Sequence, residues 1–430
     1  MIQVFFDGKE YYSGKQIKNL EILSKEILKN RKELDKIKLE DMIELIHLFS
    51  QNILRKTETK NIEGIAFLSQ WVRKANIKNL IKLNFEDEKI LADYLDKNGK
   101  LIIAQPKGLV GHWIAGNVVI LGIFSLIQSL LVKNANIIRL PIRSMPVIIE
   151  LLKTLSETEY NNLKGSQIIS STAIIYYPKE DRGANEELSM LCDVRVIWGG
   201  QEAIEAISNA KKKETCEDIV FGPKYSFSII DKETIKDDKA LKQNMEKLVY
   251  DILFAEQNSC TSPQILICET EYPQLERISI NIRNAFNNLP DKYKKKSMTM
   301  FEASNIIKIR SEYAFEDNKK VIISEGNEWT ILMDKEFKLE EPVKSRTIFI
   351  KSCDDLKEIV KLITPKIQTI GYAIKDKNKL VELSKELNLR GVSRIVPLGY
   401  MNDYDTPWDG KLLLTRLVNF NSLNLPFEMK

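Results

Sequence analysis

The chain has 430 residues, 43% of them hydrophobic and 29% charged, which is long enough for two or three domains with substantial cores. Its 64 basic and 60 acidic side chains leave a net charge of +4, and the two signs are interleaved along the chain. A nucleic-acid-binding protein more often concentrates positive charge on one element, so this pattern argues against that class of function.

The first hundred residues carry apolar side chains at helical spacing, as over 20–28 and 42–49, which predicts a helical start. From Leu101 onward, short apolar runs alternate with longer amphipathic stretches. This alternation predicts strands separated by helices, and therefore a parallel, doubly wound sheet that binds its ligand at the carboxyl ends of the strands. The predicted strands are 101–104, 136–139, 173–176, 194–197 and 226–230. The predicted helices between them are 118–132, 145–155, 185–191 and 201–209.

Residues 109–132 contain no Lys, Arg, Asp or Glu and are long enough to cross a bilayer. Polar and small residues interrupt the run, among them Gly111, His112 and Gln128. A buried strand, a loop and a core helix in succession explain this segment better than a membrane span does.

A second alternating series follows a charged stretch at 232–242 and a predicted helix that ends near Phe254. Its predicted strands are 264–268, 321–324, 330–333, 347–350 and 394–396. The series predicts a second α/β domain, so the fold class is α/β with two doubly wound parallel sheets. The tail after Pro407 contains a strand-like stretch at 412–418 that is a candidate for pairing across subunits.

The usual nucleotide-binding signatures are absent. No G-x-G-x-x-G follows the predicted strand at 101–104. Gly111 and Gly116 have the spacing of a phosphate-binding P-loop, but Asn117 stands where that loop requires lysine.

Cysteine and histidine usage limits the possible chemistry. Five cysteines at wide spacing, without a signal peptide, predict a reduced protein in the cytoplasm. With two histidines and no C-x-x-C pair, we expect neither a bound metal nor a Ser-His-Asp hydrolase.

Cys260 is the best candidate nucleophile. It lies in a polar turn of small residues between a predicted helix and a predicted strand, where a scaffold presents a reactive group in a cleft. Nearby backbone N–H groups would favour its thiolate. The local sequence fits a small buried cysteine at a helix end equally well, and that alternative stays open.

Several segments in the same order along the chain resemble the aldehyde dehydrogenase superfamily, and within it the LuxC-type fatty acyl-CoA reductases of bacterial bioluminescence. The matching segments are 116–117, 133–139, 197–202, the turn at Cys260, 344–347 and 407–410. The resemblance implies an aldehyde-dehydrogenase-like fold with a small oligomerisation element. It implies a dinucleotide-binding domain at 1–235, a catalytic domain at 236–400 and a C-terminal segment at 401–430 that packs on the first domain or on a neighbouring subunit.

The resemblance also implies roles for individual residues. Cys260 would be the nucleophile, and the Asn117 amide would help to form the oxyanion hole. Arg139 would reach the cofactor ribose. Three residues of the 197–202 turn would lie near the cofactor pyrophosphate, namely Gly199, Gly200 and Glu202. Gly222 belongs to a further matching segment, 220–223, and completes the implied cofactor site.

Two departures from the superfamily pattern bear on function. Val220 replaces the glutamate that activates water in oxidising members, so an enzyme thioester would hydrolyse slowly. Ile142 stands where many NAD-preferring members carry a glutamate on the ribose hydroxyls. With Arg139 and Arg143 close by in sequence, a 2′-phosphate would be attracted rather than repelled, which favours NADPH.

The sequence thus predicts an NADPH-dependent reductase that takes an acyl group from acyl-CoA or an acyl-protein onto Cys260 and releases the aldehyde. The resemblance implies a homo-oligomer and an acyl-protein synthetase as partner. Three alternatives stay open: an aldehyde-oxidising dehydrogenase, a cysteine acyltransferase or thioesterase without hydride chemistry, and a non-catalytic scaffold. Val220 argues against the first alternative and the dinucleotide segments against the second.

Overall fold

The computed structural model describes residues 1–295, 298–325 and 327–425. The chain separates into two compact units, each built around a seven-stranded sheet. Unit 1 comprises Met1–Gly222 together with the described residues from Tyr404 onward, and unit 2 comprises Pro223–Asp403. Both units are α/β, as the alternation of apolar runs predicts.

The sheet of unit 1 has five neighbouring parallel strands and an antiparallel hairpin at one edge. In spatial order the strands are Glu217–Phe221, Val194–Trp198, Leu109–Trp113, Ala135–Arg139, Thr172–Tyr176, Ile2–Phe6 and Tyr11–Ile17. The helices of this unit are Glu21–Arg31, Leu39–Arg55, Ile65–Trp71, Lys74–Phe85, Leu121–Leu131, Met145–Ser156, Gly165–Ile169, Arg182–Leu191, Gln201–Ser208 and Leu413–Arg416.

The central strands of unit 1 are buried along almost their whole length. Every residue of Leu109–Trp113 and of Val194–Trp198 is buried, which explains why such strands are continuous apolar runs rather than alternating patterns. The charge-free segment therefore folds as predicted, with the strand Leu109–Trp113, a loop and the helix Leu121–Leu131. Within the described ranges no helix is long and apolar enough to span a membrane.

The edge hairpin is not anticipated by the helical pattern of the first hundred residues. Ile2–Phe6 pairs with Tyr11–Ile17 and, on its other side, with Thr172–Tyr176. The connection contains Asp7-Gly8, a common hairpin turn pair, and Gly8 has a φ of 90°. The turn signal was present in the sequence, but the alternating pattern around it is short.

The predicted strand at 101–104 exists, but it does not belong to the main sheet. Lys100–Pro106 lies in a three-stranded sheet between Leu95–Lys97 and Val418–Leu423. The expectation that 412–418 forms a strand is also wrong, because Leu413–Arg416 is a short helix and the strand begins at Val418. A further two-stranded ribbon pairs Glu159–Tyr160 with Leu163–Lys164.

Unit 2 has a sheet in which six neighbouring strands are parallel and one edge strand is antiparallel. In spatial order the strands are Lys319–Ile323, Thr330–Asp334, Thr347–Cys353, Pro263–Glu269, Tyr225–Ile230, Ile367–Ala373 and Arg394–Pro397. The helices are Lys232–Lys236, Asp238–Leu253, Leu275–Asn287, Met300–Ala314 and Lys377–Leu389.

The strand Tyr225–Ile230 corrects the predicted division of the chain. The alternation of apolar runs predicts this strand in the first sheet, but it lies in the second, between Pro263–Glu269 and Ile367–Ala373. The predicted boundary after residue 235 therefore falls inside unit 2. An apolar run by itself does not reveal which of two adjacent sheets it joins.

Candidate active site

The candidate cofactor residues of unit 1 gather at one edge of its sheet. From Leu109–Trp113 the chain proceeds outward to Ala135–Arg139 on one side, and later returns to Val194–Trp198 on the other side. This reversal makes the carboxyl end of Leu109–Trp113 a topological switch point, where doubly wound sheets bind their ligands. Asn117, Arg139, Gly199 and Gly222 all lie at or just after the carboxyl ends of these strands and the adjoining Glu217–Phe221.

The loop between Leu109–Trp113 and the helix Leu121–Leu131 carries Gly116 and the exposed Asn117. The guanidinium of Arg143 packs against this loop. A Cβ atom on Gly116 would lie 2.8 Å from both Nε and Nη2 of Arg143. The absence of a side chain at Gly116 therefore allows the cation to approach the backbone beside Asn117.

Arg139 ends its strand half-buried and is held by Tyr177. Its Nη2 donates to the Tyr177 carbonyl oxygen at 3.0 Å, and its guanidinium carbon lies 5.4 Å from the centre of the Tyr177 ring. Burial raises the pKa of the Tyr177 hydroxyl, so the phenol stays neutral. Arg139 is thus more constrained than Arg143, whose residue is exposed.

Gly199 and Gly200 follow the strand Val194–Trp198, and the helix Gln201–Ser208 begins directly after them. The absence of side chains at both glycines leaves the backbone approachable at a helix N-terminus, which suits a phosphate. A cavity of about 1090 Å³ adjoins this helix start within unit 1. Its lining includes Gly200 and Glu202. It also includes charged side chains of both signs that have no local signal in the sequence, namely Lys179, Glu180, Arg182 and Glu186.

Val220 and Gly222 belong to the edge of the same sheet. Val220 lies half-buried in Glu217–Phe221, paired with Ile197 and packed against a buried apolar cluster. Gly222 follows the strand and is the last residue of the first segment of unit 1.

Cys260 lies in a turn of unit 2 between a short 3₁₀ segment, Phe254–Gln257, and the strand Pro263–Glu269. It therefore lies at the amino end of its strand, whereas doubly wound sheets are expected to bind ligands at the carboxyl ends of their strands. Cys260 is half-buried, whereas the other four cysteines are buried. Burial raises the pKa of each of these four thiols, which disfavours their thiolates.

The turn that carries Cys260 is closed by the fully buried side chain of Gln257. Its Nε2 donates to the carbonyl oxygens of Pro263 at 2.7 Å and Thr347 at 2.9 Å, and its Oε1 accepts from the Thr347 N–H at 2.9 Å. The carbonyl oxygen of Cys260 itself accepts a hydrogen bond from Ser226 Oγ at 2.7 Å. The backbone of the nucleophile turn is thus anchored to three neighbouring strands.

A second anchor follows Cys260 in the chain. Oδ1 of Asn402 accepts hydrogen bonds from Thr261 Oγ1 at 2.8 Å and from Ser262 Oγ at 3.2 Å. The amide nitrogen of Asn402 donates to the carbonyl oxygen of Asp251 at 2.8 Å. The Asp251 carboxylate accepts from the Gly399 and Met401 N–H groups, and burial raises its pKa to about 7.

Two segments near the turn have left-handed backbone. Residues 255–257 and 344–346 have φ values between 49° and 67° without a glycine among them. Such residues are strained by about 1–2 kcal/mol each and persist where surrounding contacts hold them, often at functional sites. Arg346 forms a bidentate ion pair with Glu256, at 2.7 Å from Nε to Oε2 and 2.5 Å from Nη2 to Oε1.

His112 and its two polar neighbours have a structural role. His112 is fully buried, with its ring nitrogens on Ser125 Oγ and Asn136 Oδ1, and burial lowers its pKa to about 4. Ser125 and Asn136 are fully buried as well, so this trio does not present a nucleophile to a substrate. Among the described residues, no group of three or more His, Cys, Asp or Glu side chains is arranged to hold a metal ion.

The structural comparison identifies the fold. The chain is similar to 1-pyrroline-5-carboxylate dehydrogenase from Thermus, solved with bound NAD, with a TM-score of 0.69 and 12% identity over 98% of this chain and 90% of that one. It is also similar to an NADP-dependent glyceraldehyde-3-phosphate dehydrogenase from Bacillus halodurans, with a TM-score of 0.67 and 13% identity over 99% of both chains. The fold is that of the aldehyde dehydrogenases, as the resemblance implies.

Sequence relatives narrow the assignment. A long-chain acyl-protein thioester reductase from Aliivibrio fischeri is 25% identical over 365 residues, which cover 83% of this chain and 72% of the relative. The protein of the same name from Photorhabdus laumondii is 27% identical over 361 residues, covering 82% and 71%. The family model described as "Acyl-CoA reductase (LuxC)" matches residues 29–420. The reductase family and the aldehyde dehydrogenase fold together indicate a nicotinamide cofactor. The chain belongs to the LuxC family of acyl-CoA reductases.

Proposed function

We propose that this protein reduces a long-chain acyl thioester to the fatty aldehyde with NADPH, through an acyl group carried on Cys260. The observation that carries the proposal is the contrast among the five thiols. Only Cys260 is half-buried, in a turn held by Ser226 of a neighbouring strand and by the buried Gln257. The other four thiols are buried and disfavoured as thiolates.

The residues of this chain account for the transfer of the acyl group. The Cys260 thiolate attacks the carbonyl carbon of the donor, and the bond from that carbon to the donor sulfur breaks. The donor sulfur departs as a thiolate and becomes a thiol by taking up the proton that Cys260 lost when its own thiolate formed. We assign the oxyanion contacts to the Asn117 amide and to the Cys260 backbone N–H, each worth about 3 kcal/mol.

A nicotinamide cofactor, when bound, supplies the hydride that reduces the acyl carbon. The bond between that carbon and Cys260 Sγ then breaks, which releases the aldehyde and restores the thiolate. The edge of unit 1 fits such a cofactor: it has a switch point, two glycines at a helix start and an adjoining cavity. We assign Arg139, Arg143, Gly199, Gly200, Glu202 and Gly222 to its binding.

Two features favour the phosphorylated cofactor. Arg143 is exposed in the short 3₁₀ segment Ile142–Ser144, which follows the strand that would meet the ribose. Ile142 beside it carries no charge to repel a phosphate. Guanidinium groups bind phosphate by two parallel hydrogen bonds, so Arg143 favours a 2′-phosphate.

The donor is free acyl-CoA or an acyl group on a partner protein. The names of the relatives, long-chain acyl-protein thioester reductases, support the second source. For that source we propose an acyl-protein synthetase as the partner. Glu256, four residues before Cys260, is a carboxylate that could serve as a water-activating base in the rival oxidising reaction. Both of its carboxylate oxygens lie on Arg346, which supports the reductive direction.

The proposal is tested by mixing the protein with NADPH and either acyl-CoA or an acylated synthetase, and following NADPH absorbance. We expect NADPH consumption with stoichiometric aldehyde, identified by mass spectrometry. Cys260→Ala should abolish both, and Cys353→Ala is its matched control, because it removes a buried thiol of the same unit. Release of free fatty acid without NADPH consumption would contradict the proposal and favour a thioesterase.

A further inference from the structure

Arg346 and Glu256 connect two segments of unit 2 that are distant in sequence and share an unusual backbone conformation. Ala255, Glu256 and Gln257 have φ values of 50°, 49° and 66°. The second segment, 344–346, has values of 67°, 54° and 61°. Each segment is therefore a left-handed turn made without glycine, a conformation that surrounding contacts must hold in place.

The two turns hold one another by backbone and side-chain contacts. The N–H of Ser345 donates to the carbonyl oxygen of Glu256 at 3.1 Å. The Arg346 guanidinium binds both oxygens of the Glu256 carboxylate and also donates to the Tyr293 carbonyl oxygen at 2.8 Å. Lys295 donates to the Ser345 carbonyl and hydroxyl oxygens, so a lysine side chain also holds the second turn.

The paired turns border the segment that carries Cys260. Gln257 ends the first turn and bonds across the nucleophile segment to Pro263, and Thr347 directly follows the second turn and bonds to Gln257. The conformation of Glu256 thus fixes the start of the Cys260 turn, and Arg346 fixes Glu256. The Arg346 side chain is only 4% exposed, so the ion pair is shielded from water on its cationic side.

We propose that Arg346 and Glu256 are positioning residues that hold the Cys260 turn in the conformation in which its thiolate reacts with the acyl donor. This inference rests on the proposed function, because it assigns the pair a role in the acylation of Cys260. Glu256 acts here through its ion pair with Arg346 and not as a proton acceptor. A small misplacement of a nucleophile lowers its rate strongly, which is why the pair matters to a reaction it does not touch.

The test compares Glu256→Gln, Arg346→Lys and the double variant. Glutamine keeps the shape of the side chain without its charge, and lysine keeps the charge without the two-pronged contact. The matched control is Glu269→Gln, because Glu269 is also ion-paired, to Lys379, and lies at the opposite end of the strand Pro263–Glu269. Alkylation of Cys260 by iodoacetamide, located by mass spectrometry across a pH series, measures thiolate reactivity without donor or cofactor.

We expect each single variant to slow both alkylation and single-turnover acylation on the order of 10- to 100-fold, with little change in the Michaelis constant for NADPH. The double variant should be no slower than the slower single variant, because either change breaks the same pair. Glu269→Gln should leave the alkylation rate at the wild-type value, even where it lowers the melting temperature.

Wild-type alkylation and acylation rates in both single variants would overturn the inference while leaving the proposed function intact. Slower alkylation and acylation in Glu256→Gln alone, with one limb of the pH–rate profile missing, would also overturn the inference. A proton acceptor at Glu256 would produce that result. Failure of the proposed function is distinguishable, since the wild-type protein would then take up no acyl group on Cys260.

Discussion

The guanidinium of Arg143 packs over Gly116, at a distance where a methyl group on that glycine would lie 2.8 Å from Nε and Nη2. The two residues belong to neighbouring strand ends of unit 1, Gly116 after Leu109–Trp113 and Arg143 after Ala135–Arg139. The contact joins the loop of the proposed oxyanion donor Asn117 to a cation proposed to bind the cofactor. A substitution at Gly116 should therefore alter cofactor binding.

We expect Gly116→Ala to displace the Arg143 side chain and raise the Michaelis constant for NADPH, with less effect on NADH. The stability cost should stay within about 1 kcal/mol, because the group that must move is the far end of a flexible side chain. Steady-state kinetics with both cofactors and a thermal melt measure the two effects. Gly183→Ala is the control, since the nearest atom to its added methyl lies 3.6 Å away. Equal losses with NADPH and NADH would contradict a phosphate contact by Arg143.

Arg143→Ala should weaken NADPH binding more than Arg139→Ala does. Arg143 is exposed, whereas Arg139 already donates to the Tyr177 carbonyl and lies beside its ring. Loss of a charge-assisted contact to a 2′-phosphate costs about 1.5–3 kcal/mol, or roughly 10- to 150-fold in affinity. Titration of cofactor fluorescence measures both affinities in the absence of substrate. A larger loss of NADPH affinity in Arg139→Ala than in Arg143→Ala would assign the phosphate contact to Arg139 instead.

Val220→Glu should shorten the lifetime of the acyl-enzyme. The valine replaces the superfamily's water-activating glutamate, and general-base catalysis is typically worth about 10²–10⁴ in rate. The new carboxylate should also lower the free energy of unfolding, because Val220 packs against a buried apolar cluster. Decay of labelled acyl-enzyme without cofactor is the measurement, and Val220→Gln is the matched control without a base. Rapid decay of the acyl-enzyme in the wild-type protein would contradict the proposed reductive direction of the reaction.

The buried carboxyl of Asp251 predicts how stability depends on pH. Burial and the Asp403 charge raise its pKa from 3.8 to about 7, against the opposing effects of the Gly399 and Met401 N–H groups and of Arg394. Between these two values the folded chain keeps a proton that the unfolded chain has released. The free energy of unfolding should therefore fall as pH rises from about 4 to about 7, by on the order of 4 kcal/mol from this group, and level off above.

Urea unfolding across that pH range measures the effect, with Asp251→Asn as the comparison. The asparagine variant should lose this fall in stability between the two pH values. A parallel pH dependence in wild type and variant would assign the titration to another group.

The sequence predicted the parallel strands well where they are continuous apolar runs, as at Ala135–Arg139 and Val194–Trp198. It did not predict which sheet a strand joins, because Tyr225–Ile230 and Lys100–Pro106 have apolar runs of the same kind. The strand Ile367–Ala373 was missed as well, since its run includes Gln368, Thr369 and Gly371.

The candidate site was predictable only in part. Cys260 and the glycines have local signals in the sequence. The contact between Glu256 and Arg346 spans 90 residues, and neither residue has a local pattern that predicts it. The buried polar anchors Gln257 and Asn402 were missed for the same reason, since burial of a polar side chain follows from tertiary packing.

The most direct test of the account is covalent labelling of Cys260. Protein incubated with radiolabelled long-chain acyl-CoA, without cofactor, should carry one label per chain, located by peptide mapping on Cys260 and released as aldehyde when NADPH is added. Cys260→Ala should take up no label, while Cys192→Ala, Cys216→Ala, Cys268→Ala and Cys353→Ala should each keep it. Label that persists in Cys260→Ala, or that leaves only as free acid after NADPH is added, would contradict the central claim.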